Sequence, residues 1–184
     1  MINALKKVNP YLLAFLTGVA VWFSMMHYTF SIVGAAAVMT GSNYLSMLVT
    51  VSLIMVALFS LIAMLLIRIS FRIVGGIFTR RSGMLYPFPI RYGEYTGVVL
   101  SFAFLCFIVC GVICLPLLFL PTLANVLGAV RTFTIWIFLF LGARYFVTHY
   151  THDYDRKALA TALSVIPFVL VGLTLLFTIW EVAA

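Results

Sequence analysis

The stretch YLSMLVTVSLIMVALFSLIAMLLI, residues 44–67, is apolar along most of its length and contains no charged residue. A helix needs about 20 apolar residues to cross a hydrocarbon layer of about 30 Å at a rise of about 1.5 Å per residue. A helix also satisfies its own backbone hydrogen bonds in lipid, where no water replaces them. The stretch therefore predicts a membrane-spanning helix.

Four further segments share this character, and they cover residues 11–39, 95–120, 123–147 and 158–180. Of the 184 residues, 65% are hydrophobic and only 8% are charged, whereas a soluble domain carries about 25% charged residues. We therefore predict an all-α, polytopic membrane helix bundle. Residues 1–184 form one transmembrane domain with about five transmembrane helices.

Basic residues fall almost entirely on one side of the predicted bundle, and the net charge is +7. Ten lie on that side, whereas only Arg131 lies toward the other. The ten are Lys6, Lys7, Arg68, Arg72, Arg80, Arg81, Arg91, Arg144, Arg156 and Lys157. The positive-inside rule then predicts a cytoplasmic N-terminus and an external C-terminus. It also makes residues 68–94 a cytoplasmic basic link, most simply at a bacterial inner membrane.

The basic link begins with RISFRIVGG, residues 68–76. Its arginines and aromatic residues suit a membrane surface, because guanidinium groups meet lipid phosphates while aromatic rings lie among the head groups. Gly75 and Gly76 are expected to end the preceding helix. The candidate contacts for anionic head groups or partner subunits are Arg68, Arg72, Arg80, Arg81 and Arg91. Charge that serves orientation alone is the alternative. No soluble basic face is available for nucleic acid.

Three ionisable side chains, His27, Arg131 and Arg144, fall inside or at the edges of predicted spans. Such residues are candidates for function, although a neutral His27 hydrogen-bonded within the bundle is the plainer interpretation. The twelve residues between Arg131 and Arg144 cover about 20 Å as a helix, less than the hydrocarbon core of about 30 Å. One or both arginines must therefore snorkel or face a polar interior. Glu181 is a candidate partner for Arg131, and Glu94 for Arg91 or Arg144.

The polar stretch FVTHYTHDYDRKAL, residues 146–159, places His149 and His152 three residues apart, beside Asp153 and Asp155. This spacing can hold a metal ion, but no further histidine lies at that face. An aspartate that caps the last helix accounts for more of the residues, so we predict a solvated loop. The stripe Cys106, Cys110 and Cys114 predicts close helix packing. No catalytic, metal or cofactor site is predicted.

Several pieces of the chain resemble the Yip (Ypt-interacting protein) family of small five-span membrane proteins, especially its bacterial members. They are LIRISFRIVGG, RYGEYTGVVLSF and GARYFVTHYTHDYDRKALATALSVIPFVL, within residues 46–180. The resemblance implies a non-enzymatic adaptor or complex subunit with the orientation given above. The Asp-Leu-x-Gly-Pro motif of the eukaryotic members is absent, so their GTPase binding is not carried over.

Two functional classes are expected from these observations. The first is a non-enzymatic adaptor, scaffold or accessory subunit of a membrane complex, in envelope, lipid or protein trafficking, which associates with anionic lipids and other membrane subunits. The second is a small transporter or channel subunit with a polar path near His27 and Arg131. A metal-dependent membrane enzyme at His149 and His152 is a weaker third class.

Overall fold

The computed structural model describes residues 8–41, 43–81, 88, 90–149, 160 and 162. Within these ranges the chain is helical and contains no strand, which confirms the all-α prediction. The five helices are α1 (Pro10–Ser24), α2 (Met26–Thr40), α3 (Tyr44–Arg81), α4 (Tyr92–Cys114) and α5 (Ala124–His149). The predicted segment at 158–180 lies outside the described residues, apart from Ala160 and Ala162.

Three of these helices are long and apolar enough to cross a membrane. They are α3, α4 together with the turn that follows it to Leu118, and α5 from Val126 onward. The pair formed by α1 and α2 raises the number to four if it counts as one bent span. The chain is therefore a membrane protein, while the number of five spans and their orientation remain predictions.

The predicted first span, residues 11–39, is not one straight helix. It breaks at Met25 into α1 and α2, which differ in direction by 68°. The Ser24 hydroxyl donates to the Val21 carbonyl at 2.7 Å, and hydrogen bonds of this kind bend helices. The expectation of one continuous helix was therefore wrong. The break could not be predicted from the sequence because it involves neither proline nor glycine.

The prediction that Gly75 and Gly76 end the helix that runs on from the second span was also wrong, because α3 continues to Arg81 over 38 residues. Val74 and Phe78, on either side of the glycines, are fully buried. Packing of this kind outweighs the glycine cost of about 1 kcal/mol per residue. At about 1.5 Å per residue the helix is about 57 Å long, so it extends well beyond a hydrocarbon layer of about 30 Å. We call residues 68–81 the α3 extension.

The next two helices match their predicted segments closely. Helix α4 begins at Tyr92 and ends at Cys114, where a 3₁₀ turn at Leu115–Leu118 begins. Pro116 lies in this turn, as expected for a residue that lacks a backbone N–H. A second 3₁₀ turn at Pro121–Leu123 leads directly into α5.

Helix α1 packs against both α3 and α4, and α4 packs on α5. Two glycines allow the close approaches. A Cβ atom at Gly18 would meet the Val56 carbonyl oxygen of α3 at 2.6 Å, and one at Gly111 would collide with the Phe23 ring of α1. The backbones of α1 and α3 therefore approach closely at Gly18, as is common between membrane helices, whereas at Gly111 an aromatic ring of α1 lies against the backbone of α4.

The main core cluster lies at one end of the bundle and joins four helices. It contains Leu13 near the start of α1, Phe78 near the end of α3, Val98 near the start of α4, and Phe146 near the end of α5, together with Ala162. We call this the basic end, because the arginines of the α3 extension, Arg91 and Arg144 belong to the same helix ends. Arg131 lies toward the opposite end.

Candidate functional site

The α3 extension presents its arginines to the surroundings. Arg68, Arg72, Arg80 and Arg81 are all exposed, as is Arg91 at the residue that precedes α4. Glu94 is the one acid among the described residues. No ion pair forms within the part of the chain that the structure describes. The predicted pairing of Glu94 with Arg91 or Arg144 was therefore wrong. None of these five arginines is paired with an acid among the described residues.

Isoleucines share the exposed face of the extension with the arginines. Ile69 and Ile73 are 45% and 46% exposed, respectively. Successive residues of a helix turn by about 100°, so Arg68 and Arg72 lie on one flank of this face while the isoleucines lie on the other. A charged flank beside an apolar flank is typical of a helix that lies at a membrane surface.

Aromatic side chains fix the extension in place. The Phe71 ring packs against Phe88, Tyr92 and Tyr95 at centroid distances of 5.4, 5.2 and 5.3 Å. The Tyr95 ring, in turn, stacks on Phe146 of α5 at 5.2 Å. Ring pairs at these distances stabilise a fold beyond the area that they bury. The arginines therefore project from a helix that packs on α4, whose Tyr95 in turn packs on α5.

One hydrogen bond crosses this aromatic block. The Tyr95 hydroxyl donates to Ser70 Oγ at 3.0 Å, and the Ser70 hydroxyl donates to the Ile67 carbonyl at 3.0 Å. Tyr95 is 1% exposed, so its hydroxyl satisfies its hydrogen-bonding capacity inside the protein. No sequence pattern indicates this bond, because Ser70 and Tyr95 lie on different predicted segments.

The structure places His27 and Arg131 at the same end of the bundle, within electrostatic range but without a hydrogen bond between them. His27 lies in the first turn of α2, and Arg131 lies in α5 near enough for its charge to act on the imidazole ring. Arg144, by contrast, is exposed at the basic end, where its neighbours Ala143 and Tyr145 pack on the core cluster. The three predicted intramembrane groups therefore divide between the two ends.

Two buried ring nitrogens near the helix break have no hydrogen-bond partner among the described residues: Trp22 Nε1 and His27 Nε2. Buried polar atoms are nearly always hydrogen-bonded. The sequence analysis identified His27 but overlooked Trp22. The spacing of Trp22 and His27 does not by itself indicate a shared site, because the break at Met25 between them could not be predicted.

The three cysteines are buried along α4 and form no disulfide. The Cys110 thiol lies 3.9 Å from the Arg131 carbonyl oxygen, as a weak hydrogen-bond donor across the α4–α5 interface. This position agrees with the packing role that their spacing predicts. Within the described ranges, no group of three or more His, Cys, Asp or Glu side chains is placed to hold a metal ion.

His149 ends α5, and its ring stacks on Tyr145 at 4.0 Å. Its Nδ1 lies 3.2 Å from the Tyr145 carbonyl oxygen, so the ring is held against its own helix. His152, Asp153 and Asp155 lie outside the described residues. The prediction of a solvated loop at 146–159 was wrong for residues 146–149, because these residues end α5 and include the buried Phe146. From residue 150 onward it lies outside the described residues, apart from the boundary at Ala160.

Comparisons with protein-family models, curated proteins and solved structures found no match for the chain. The resemblance to the Yip family therefore remains a prediction. Function must be argued from the two polar regions described above, which are the arginine-bearing α3 extension and the surroundings of His27 and Arg131.

Proposed function

We propose that this protein is a non-enzymatic, multi-pass subunit or adaptor of a bacterial inner membrane, whose α3 extension binds anionic lipid head groups. The observation that carries the proposal is a helical extension whose exposed arginines form no ion pair with any described residue. The pattern-level resemblance to the Yip family supports the same class of protein. The charge bias of the loops supports a cytoplasmic position for the extension.

The chemistry of the extension suits a phosphate ligand. A guanidinium group donates two parallel hydrogen bonds to phosphate oxygens and stays charged at any physiological pH. Arg68 follows directly after the apolar stretch at 44–67, and this order along the chain supports a position at the depth of the head groups. Ile69 and Ile73 can then enter the acyl boundary beside it.

The test is the affinity of the purified protein for fluorescent phosphatidylglycerol in an uncharged detergent. Each basic residue near an anionic surface contributes about 1 kcal/mol. The double variant Arg68→Gln with Arg72→Gln is therefore expected to lose about 2 kcal/mol, or about thirtyfold in affinity. Its helix propensity is nearly unchanged, because Arg and Gln are similar helix formers.

The matched control is Arg68→Lys with Arg72→Lys, which keeps both charges and removes only the planar guanidinium groups. It is expected to retain most of the affinity. Equal binding of phosphatidylcholine and phosphatidylglycerol by the unaltered protein would contradict lipid recognition. If the Gln variant instead loses a co-purifying protein subunit while its lipid affinity is unchanged, the extension is a surface for a protein partner.

A transporter or channel subunit is the second candidate, and it is favoured by the proximity of His27 and Arg131 beside a broken helix. Discontinuous helices commonly form the binding sites of transporters. If this function holds, His27→Ala is expected to reduce solute flux in proteoliposomes, because it removes a polar group from the path. His149→Ala, at the basic end, is the control and is expected to leave flux unchanged. Unaltered flux in the His27 variant would count against this candidate.

A further inference from the structure

We propose that the break between α1 and α2, together with Arg131, forms a binding site for a small monovalent anion, such as a halide or a carboxylate. The site lies toward the end of the bundle opposite the basic end, so it is distinct from the proposed lipid surface. Anion binding there does not require transport.

Two interhelical contacts place the break beside Arg131. Phe23, two residues before the break, lies against Gly111 of α4. The preceding residue of α4, Cys110, contacts the Arg131 carbonyl oxygen of α5 at 3.9 Å. The break, the end of α4 and Arg131 therefore lie at the same level of the bundle, and the charge of Arg131 reaches the His27 ring.

The groups at this level are suited to an anion. Trp22 Nε1 carries a hydrogen that has no acceptor among the described residues, and an indole N–H can only donate. His27 Nε2 is likewise unpaired there, and it donates in the Nε2–H tautomer or when the ring is protonated. Leaving buried donors without acceptors is unfavourable, and a bound anion would satisfy them.

Charge favours an anion at the same place. Arg131 is half-buried and has no acidic partner among the described residues, whose one acid, Glu94, lies at the basic end. The C-terminus of α1 and the N-terminus of α2 meet at the break, so their opposite dipole ends largely offset each other. The guanidinium group of Arg131 therefore supplies the favourable charge.

A single guanidinium group balances one negative charge, which is why we specify a monovalent ligand. The probe is sodium bromide, added to the full-length protein in uncharged detergent at constant ionic strength, with a bulky organic sulfonate as the balancing salt. The measurement is the midpoint of thermal unfolding. A ligand that binds only the folded state raises this midpoint with its concentration, so bromide is expected to stabilise the protein in a concentration-dependent way.

Trp22→Phe removes one N–H donor while it keeps an aromatic ring, and it is expected to weaken bromide binding about tenfold, the effect of one hydrogen bond to a charged group. Arg131→Gln is expected to abolish the bromide effect. Arg144→Gln removes the same charge from the same helix at the basic end, so it is the matched control and should respond to bromide like the unaltered protein. If Arg131→Gln does not fold, the Trp22→Phe variant still decides the question.

Two outcomes would overturn the proposal: no bromide effect in the unaltered protein, or an effect that Trp22→Phe leaves unchanged. If the unaltered protein shows no effect and Glu181→Gln does, the chain's own carboxylate occupies the site in place of an external anion. None of these results bears on phosphatidylglycerol binding by Arg68 and Arg72, so the anion site and the lipid surface can fail separately.

Discussion

Tyr95→Ala is expected to lower the free energy of unfolding by about 3–5 kcal/mol, the usual cost of removing a buried aromatic ring. The Tyr95 ring packs against Phe71 of α3 and Phe146 of α5, and it belongs to the core cluster at the basic end. Its removal leaves a cavity where three helices meet. The measurement is the unfolding midpoint of the purified protein in an uncharged detergent, followed by tryptophan fluorescence.

Tyr95→Phe separates the ring from its hydroxyl. This change removes only the hydrogen bond to Ser70, so it is expected to cost about 1 kcal/mol. Ser70→Ala removes the same bond, and the two changes together should cost little more than either alone. If Tyr95→Phe were as damaging as Tyr95→Ala, the hydroxyl rather than the ring would stabilise this end of the bundle.

The same substitutions also test how the aromatic block supports the proposed lipid surface. Because Phe71 joins the α3 extension to Tyr95 and Phe88, loss of the Tyr95 ring loosens the support of Arg68 and Arg72. We therefore expect Tyr95→Ala to lower phosphatidylglycerol affinity as well as stability, while Tyr95→Phe preserves both to within a few-fold.

The long apolar helices could be predicted from the sequence because lipid imposes a simple requirement. A segment in hydrocarbon must be apolar and must satisfy its own backbone, so its composition alone indicates a helix. Helix α5, at Ala124–His149, therefore differs from the predicted residues 123–147 by only one or two residues at each end. Such differences are within the ordinary variation of helix ends.

The two errors about the bounds of helices both concern features that depend on tertiary packing. The break at Met25 lies in an apolar run without proline or glycine, and it occurs where Phe23 meets Gly111 of another helix. The continuation of α3 through Gly75 and Gly76 likewise depends on the burial of Val74 and Phe78 against residues far along the chain. Local propensity carries no information about such neighbours.

The candidate sites could be predicted only in part for the same reason. The exposure of the arginines could be predicted because charged residues are rare in this apolar chain and are costly to bury. The proximity of His27 to Arg131 was a hypothesis that required α1, α2, α4 and α5 to be assembled. The unpaired Trp22 Nε1 could not be predicted, because a nitrogen is unpaired only with respect to its neighbours in the folded structure. Ala14 and Gly18, four residues apart, did offer a signal for close packing of α1.

Gly18→Leu is expected to destabilise the protein by about 3 kcal/mol, at the upper end of the usual cost of overpacking. A Cβ atom at this position already meets the Val56 carbonyl and Ser60 Oγ of α3, and a backbone carbonyl in a helix cannot turn aside as a flexible side chain can. Helix α1 would have to move away from α3, and its contacts with α4 would shift with it. The measurement is again the unfolding midpoint in uncharged detergent.

Gly34→Leu is the matched control, because no described residue lies within 4 Å of a Cβ atom at Gly34 in α2. Replacing a helical glycine there removes its propensity cost of about 1 kcal/mol, so the unfolding midpoint should stay unchanged or rise. Ser60→Ala should not rescue Gly18→Leu, since the Val56 carbonyl remains in the way. Full rescue by Ser60→Ala would show that the serine hydroxyl alone limits the approach of α1 to α3. Equal destabilisation by both leucine variants would instead mean that the contact between α1 and α3 is not the reason for glycine at position 18.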